Sequence, residues 1–296
     1  PTRRSSDLKR ILGKEQDAVY LLKDLYKEKS AILKNLISFD NARKDLLGYC
    51  DEREFAEVYP FVPYQFKILQ NVFEQVRKHG SSGKHLSEGE RSMISAYKES
   101  VLKYADDKDG VLIPFHAFYD TIEEFLNPTI SRVIERASEN PELKENPMNL
   151  KLLKVLFMIK YLSDELPGNL ENIATLMVKS IDEDKLELKE KIKDSLRKLQ
   201  SNTLIQKNGD TYTFLTDEEQ DVNREIKFEK IEEDVIKKEL SNYVFSGIYE
   251  DTKFRHSKTY LFQFNKVMDE KPYGNQTSNI GINILTQIGR ASCRER

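Results

Sequence analysis

The chain has 296 residues, 39% of them apolar, with 47 basic against 50 acidic side chains and a formal charge of -3. That apolar share supports a sizeable core in roughly one to three modules and excludes a disordered chain, while the near-neutral balance excludes a global positive field and leaves only local basic patches. Two cysteines, Cys50 and Cys293, exclude a disulfide scaffold and fit a reducing, cytoplasmic setting, and no apolar run reaches the length of a membrane span.

Residues 1–8, PTRRSSDL, read as the translation of a common short-read sequencing adapter, and residues 288–296, IGRASCRER, as that of its reverse complement. Both are set aside as artefacts, Cys293 with them, so residues 9–287 are expected to be an internal piece of a longer protein. Residues 9 to about 37 predict a helix, with Leu12, Leu21, Leu25, Ile32 and Leu36 recurring at helical spacing among Lys and Glu. Gly48 and Asp51 mark a break. Tyr59-Pro60-Phe61-Val62-Pro63 leads into a helix from Tyr64 to Lys78, with Pro63 in its first turn and Tyr59 held extended by Pro60. A loop, Gly80-Ser81-Ser82-Gly83, precedes Ser87, the expected cap of a helix carrying Arg91, Met93, Ile94 and Tyr97, with Glu90 completing a capping box.

Further helices are expected near Pro114–Phe125 and Pro128–Ala137, and Pro141–Pro147 reads as a linker. Beyond it come an apolar helix, Leu150–Leu162, a short one capped by Asn169, and a third, Leu188–Gln200. Two strand-like runs then flank Asn208-Gly209, a dipeptide suited to a type I′ turn. Three helices followed by a hairpin is the order of a winged helix, placed at residues 148–217. A helix at 229–242 and strands at Thr259–Phe264 and Ile280–Leu285 begin a further α/β region, 218–287. The fold class is therefore α+β and mostly helical.

Signals for catalysis are thin. A P-loop needs GxxxxGK followed by Ser or Thr; Gly83-Lys84 has Lys78 at the first glycine position and His85 at the hydroxyl position. His79, His85, His116 and His256 lack a compact metal-ligand spacing, so no metal is expected. Glu123-Glu124 and Asp182-Glu183-Asp184 read as solvated faces, Ser87 beside His85 as a cap rather than a nucleophile, and Tyr59, Phe61, Tyr64 and Phe66 as core anchors. The third helix of the winged-helix segment carries Lys189, Lys191, Lys193, Arg197 and Lys198 against Glu190 and Asp194, and Lys207 lies on the wing. Phosphate contacts by Lys189, Lys193, Arg197, Lys198 and Lys207 would give salt-dependent DNA affinity; the same residues also suit an internal or protein interface.

Tyr59-Pro60-Phe61-Val62-Pro63-Tyr64-Gln65-Phe66, Leu69-Gln70, Val72-Phe73 and His85-Leu86-Ser87-Glu88-Gly89-Glu90-Arg91-Ser92-Met93 resemble the core of the P-loop ATPase subunit of bacterial BREX phage-exclusion systems, the BrxC/PglY family. The Phe264-Asn265-Lys266-Val267-Met268-Asp269 segment adds weaker support. The resemblance implies an AAA-like ATPase whose nucleotide core precedes this piece, with residues 9–58 a helical segment following that core and 59–140 a helical lid. It implies ATP and Mg2+ in the intact parent, with neither site complete here, and other BREX subunits, a DNA methyltransferase among them, as partners, with DNA contact and self-association of the parent left open. Arg91 would approach the β/γ-phosphates, with Lys84 a weaker contact; Glu88 or Glu90 could instead hold Arg91 in a structural pair. The alternative is a non-catalytic scaffold or a DNA-contacting winged-helix component of a multi-subunit complex.

Overall fold

The computed structural model describes residues 12–79, 89–107, 109–126, 128–228 and 233–286. Helices dominate it, in keeping with the expected class, and the chain divides into two units, Pro1–Arg224 and Glu225–Arg296.

In the first unit, helix α1 (Gln16–Leu36) starts later than the apolar periodicity predicts, because residues 12–15, with Gly13 among them, are not helical. Asp51 is more than a break: its carboxylate accepts from the amides of Arg53 and Glu54 and starts helix α2 (Glu52–Val58). Helix α3 (Pro63–His79) opens on Pro63 as expected. Gln65, buried at its start, accepts from the Val62 amide at 3.1 Å and donates to Ile113 O at 2.6 Å. Helix α4 (Gly89–Lys103) carries Arg91 in its first turn, whereas Ser87 and the side chain of Glu90, the expected capping pair, lie outside what is described.

The helix expected at 114–125 is a 3-10 turn, Phe115–Phe118, followed by α5 (Tyr119–Glu123). Phe115, Ala117, Phe118, Tyr119 and Ile122 are all buried, so packing on several sides, not one amphipathic face, sets its path. Helix α6 (Pro128–Glu139) follows. The linker expected at 141–147 is packed structure instead. Asn140 caps α7 (Pro141–Lys144), Leu143 enters the core, and Asn146 caps α8 (Pro147–Ile159), each asparagine accepting from the amide two residues on.

Helix α8 is buried almost all round and ends in a 3-10 turn, Lys160–Leu162. Helix α9 (Leu170–Met177) is capped by Asn169 as expected, and α10 (Lys185–Ser201) by Asp184. Strands β1 (Ile205–Asn208) and β2 (Thr211–Phe214) pair antiparallel with Asn208 opposite Thr211, so the turn is centred on Gly209-Asp210, one residue beyond the expected Asn-Gly. Of these two, only Gly209 has a positive φ, +58°, which is the requirement of a type II′ turn rather than type I′. An isolated bridge ties the hairpin to the start of α9: Asn169 bridges Thr211, and the Tyr212 amide donates to Gly168 O at 2.8 Å. The approach excludes a side chain at 168, since a Cβ there would stand 2.4 Å from Tyr212 O.

One hydrophobic cluster runs from Leu12 to Phe214, so the ranges expected as lid and winged helix, 59–140 and 148–217, contribute to a single core. Tyr59, Phe61, Tyr64 and Phe66 are anchors in it. The fully buried Phe61 packs edge-on against Tyr97 at 5.1 Å and stacks with Phe118 at 5.9 Å. Helix α11 (Asp217–Phe228) leaves this core through a capping box in which Thr216 N donates to Glu219 at 2.7 Å.

The second unit contains α12 (Glu233–Tyr243), a π-helical turn (Val244–Ile248), and five strands among its described residues. Strands β3 (Lys253–Arg255) and β4 (Leu261–Gln263) form an antiparallel hairpin. Strand β5 (Asn265–Met268) pairs antiparallel with β6 (Lys271–Tyr273) and parallel with β7 (Gly281–Ile284). The expected strand 259–264 is thus a shorter β4, followed directly by β5.

Candidate functional site

Lys189, Lys193 and Arg197 recur every four residues along α10 and so share a face of the helix. Together with Lys207 of β1 they line a cavity of about 590 Å³ whose other walls include Asp40, Asn169, Glu171 and Tyr212. Four of the five cations singled out in the sequence therefore meet in one groove between α10 and the hairpin. The fifth, Lys198, points elsewhere and pairs with Glu145 at 3.2 Å.

The cations on α10 have acidic partners. Lys189 pairs with Glu171, Lys193 with Glu190 at 2.6 Å, and Arg197 with Asp194 at 2.9 Å. Lys207 holds its ammonium 5.6 Å from the centre of the Tyr212 ring. The three-charge excess legible on the helix is thus largely offset by carboxylates, of which Glu171 and Glu145 come from other elements.

Behind the groove lies a polar network the sequence reading missed. Lys185 donates to Glu171 at 2.5 Å, Thr175 Oγ1 at 2.9 Å and Ser38 Oγ at 3.0 Å. Thr175 in turn donates to Ser38 O at 2.6 Å, below the C-terminus of α1. Buried Asn172 accepts from the Asp40 amide at 2.7 Å and donates to Asp40 O and Pro167 O, each at 2.9 Å. Burial pushes the Glu171 carboxyl up, but hydrogen bonds from Lys185 and Lys189 outweigh it and hold the group below the usual carboxylate range. Burial likewise pushes the Lys185 ammonium down, partly countered by Glu171. The four-residue spacing of Lys185, Lys189, Lys193 and Arg197 was a readable signal for a shared face; the acids opposite them were not.

A second network ties α11 to the same core. The nearly buried Lys160 ammonium donates to Phe214 O at 2.9 Å and pairs with Glu219. Burial raises the Glu219 carboxyl, yet hydrogen bonds from Lys160 and the Thr216 amide bring it below its ordinary range.

Lys84 lies outside the described residues, as do Gly83, His85 and the side chain of Arg91, so the expected phosphate contacts have no described geometry. Among the described residues no cluster of three or more His, Cys, Asp and Glu side chains has the arrangement of a metal site, and no helix is long and apolar enough to cross a membrane. The acidic run is partly absorbed by structure: Asp182 pairs with Lys29 at 2.8 Å, and Asp184 caps α10.

In the second unit, Lys266 is buried, and its ammonium donates to Tyr249 O at 2.8 Å and Phe245 O at 3.2 Å, over both aromatic rings. It closes the C-terminal end of the π-helical turn, where carbonyls favour a cation.

Residues 229–295 match the model of the fourth domain of the BREX ATP-binding protein BrxC, described as having a six-stranded β-sheet. The described part of that stretch holds five strands, divided between a two-stranded and a three-stranded sheet. No solved structure matches the chain.

Proposed function

We propose, from the premise that the chain carries part of a BrxC-type BREX ATP-binding protein, that it is the portion following the nucleotide core of an ATP-hydrolysing subunit in a cytoplasmic anti-phage complex. The match of residues 229–295 carries this reading. Its parent would use ATP with Mg2+ and work beside a DNA methyltransferase and other BREX subunits. Residues 59–140 form a helical lid in this reading, and Arg91, in the first turn of α4, senses phosphate. Hydrolysis by the full-length parent and its Arg91→Ala variant tests the role; an unchanged rate in a folded variant removes it.

Residues 148–217 are read as a winged helix that packs within the subunit rather than reading DNA. Support comes from the isolated bridge of Asn169 to Thr211 and from the pairing of Lys189, Lys193, Arg197 and Lys198 with acids. A DNA-reading α10 would present cations free for phosphate. Titrating the chain with duplex DNA at low and high salt, beside a Lys193→Gln/Arg197→Gln variant, checks this: salt-dependent binding lost in the variant would restore the DNA role.

A further inference from the structure

We propose that the β3–β4 hairpin of the second unit is a contact surface for single-stranded nucleic acid. This rests on the ribbon itself and not on the reading of the winged-helix segment. Every residue of both strands is exposed, and the two strands form a sheet of their own. An isolated two-stranded ribbon gains little stability alone, and its edges and faces remain free to meet another molecule.

The register sorts its side chains. Phe254 stands directly opposite Phe262, so both rings project from one face. The His256 ring meets Phe262 edge-on at 6.4 Å, and the ladder continues through the His256 amide, which donates to Tyr260 O at 3.1 Å. Phe254, Tyr260 and Phe262 are 56%, 62% and 47% exposed, an arrangement that costs apolar hydration unless something covers it. Lys253 and Arg255 project from the opposite face, and Lys258 sits in the turn, which is held by amides of Thr259 and Tyr260 donating to Ser257 Oγ.

Charge identifies the occupant. From Lys253 to Gln263 the sequence KFRHSKTYLFQ has three cations and no Asp or Glu. Among the described residues, Lys253, Arg255 and Lys258 have no ion-pair partner, whereas the cations of α10 are matched with acids. Exposed rings on one face, with unpaired long-chain cations on the other face and in the turn, fit a strand whose bases stack on the rings and whose phosphates meet the ammonium and guanidinium groups at the ribbon's edges. An apolar protein surface would satisfy the rings and leave the cations unmatched. A duplex keeps its bases stacked internally and offers the rings little.

The test uses the full chain and labelled oligonucleotides of about 15 residues, oligo-dT and oligo-U, with a duplex as third arm, at about 50 and 200 mM salt. The chain is expected to bind the single strands more tightly than the duplex. The oligo-dT and oligo-U arms tell whether the strand is DNA or RNA. Phe254→Leu/Phe262→Leu, which keeps the face apolar, should weaken binding about tenfold or more, because stacking requires the ring. Lys253→Gln/Arg255→Gln/Lys258→Gln should flatten the salt dependence by about two, at about 0.7 per phosphate contact on single strands. Circular dichroism establishes that each variant folds, and Phe254→Tyr/Phe262→Tyr, which retains both rings, should restore binding. No single-strand binding at low salt, or equal binding by wild type and the Leu variant, overturns the proposal; the second result leaves an apolar protein-docking face in its place.

Discussion

His116 offers a direct test of how burial and charge combine in the first unit. Its Nε2 lies 3.3 Å from the Tyr104 hydroxyl, and its Nδ1 is buried without a hydrogen-bond partner. Burial is the main force pushing the imidazole down, to about 3, and nearby Lys151, Lys154 and Lys103 reinforce it against Asp120. The unfolded chain binds a proton at this ring near pH 6.5 while the folded chain refuses it, so stability is fully present above that value and falls as pH drops toward 3. Between pH 7 and 5 the loss works out at about 2 kcal/mol, or roughly 4–8 °C in melting temperature for a unit of this size. Carboxylates held low, such as Glu171 and Asp120, release their stabilisation at lower pH, below ordinary values of 4.5 and 3.8 respectively. Urea unfolding of wild type and His116→Phe at pH 7, 6 and 5 isolates the imidazole, because the other histidines are common to both. The variant's stability should be flatter by that amount. Parallel pH curves for the two proteins would refute the reasoning.

Three further outcomes follow from the packing. Asn172→Ala removes three side-chain hydrogen bonds and orphans the Asp40 amide, so it should cost about 2–4 kcal/mol by urea unfolding. Lys160→Met leaves Glu219 without its buried cation and Phe214 O without that donor; a loss of about 2–4 kcal/mol is expected, with faster amide exchange over residues 217–224 than over 150–159. By contrast Arg197→Ala, which breaks an exposed i,i+3 pair, should change stability by less than about 0.5 kcal/mol in the same assay.

The sequence disclosed what depends on a few neighbouring residues. Pro63 opening α3, Asn169 capping α9 and the hairpin around Gly209 all follow local rules and stand in the structure. The turn moved by one residue because pairing of β1 with β2 sets the register, which Asn208-Gly209 alone does not fix. The segment 141–147 resembled a linker because Pro141, Asn146 and Pro147 are turn residues that also start helices, and only the burial of Leu143 tells the two apart. Lys189, Lys193 and Arg197 were legible as a row, whereas Glu171, their neighbour across the groove, comes from α9 and needed tertiary structure to place it. On the ribbon, β4 was readable within a β-rich run, but its partner β3 is three residues long and gave no periodic signal.

That difference between a visible cation and its hidden acid decides how the groove behaves. Lys189 and Glu171 are both mostly shielded from water, and Glu171 also serves Lys185, which reaches Thr175 and Ser38 beneath the C-terminus of α1. A phosphate competing for Lys189 would have to leave Glu171 facing it across the groove, a like-charge contact, or displace a carboxylate that fastens α9 to α10. Either outcome opposes a phosphate at Lys189, although Glu171 keeps its pair with Lys185. Lys193 and Arg197 have only exposed partners on their own helix, which they are free to exchange. Within α10, then, Lys185 and Lys189 fasten the helix to α9 through Glu171 and Lys198 reaches Glu145, whereas Lys193 and Arg197 pair only within their own helix.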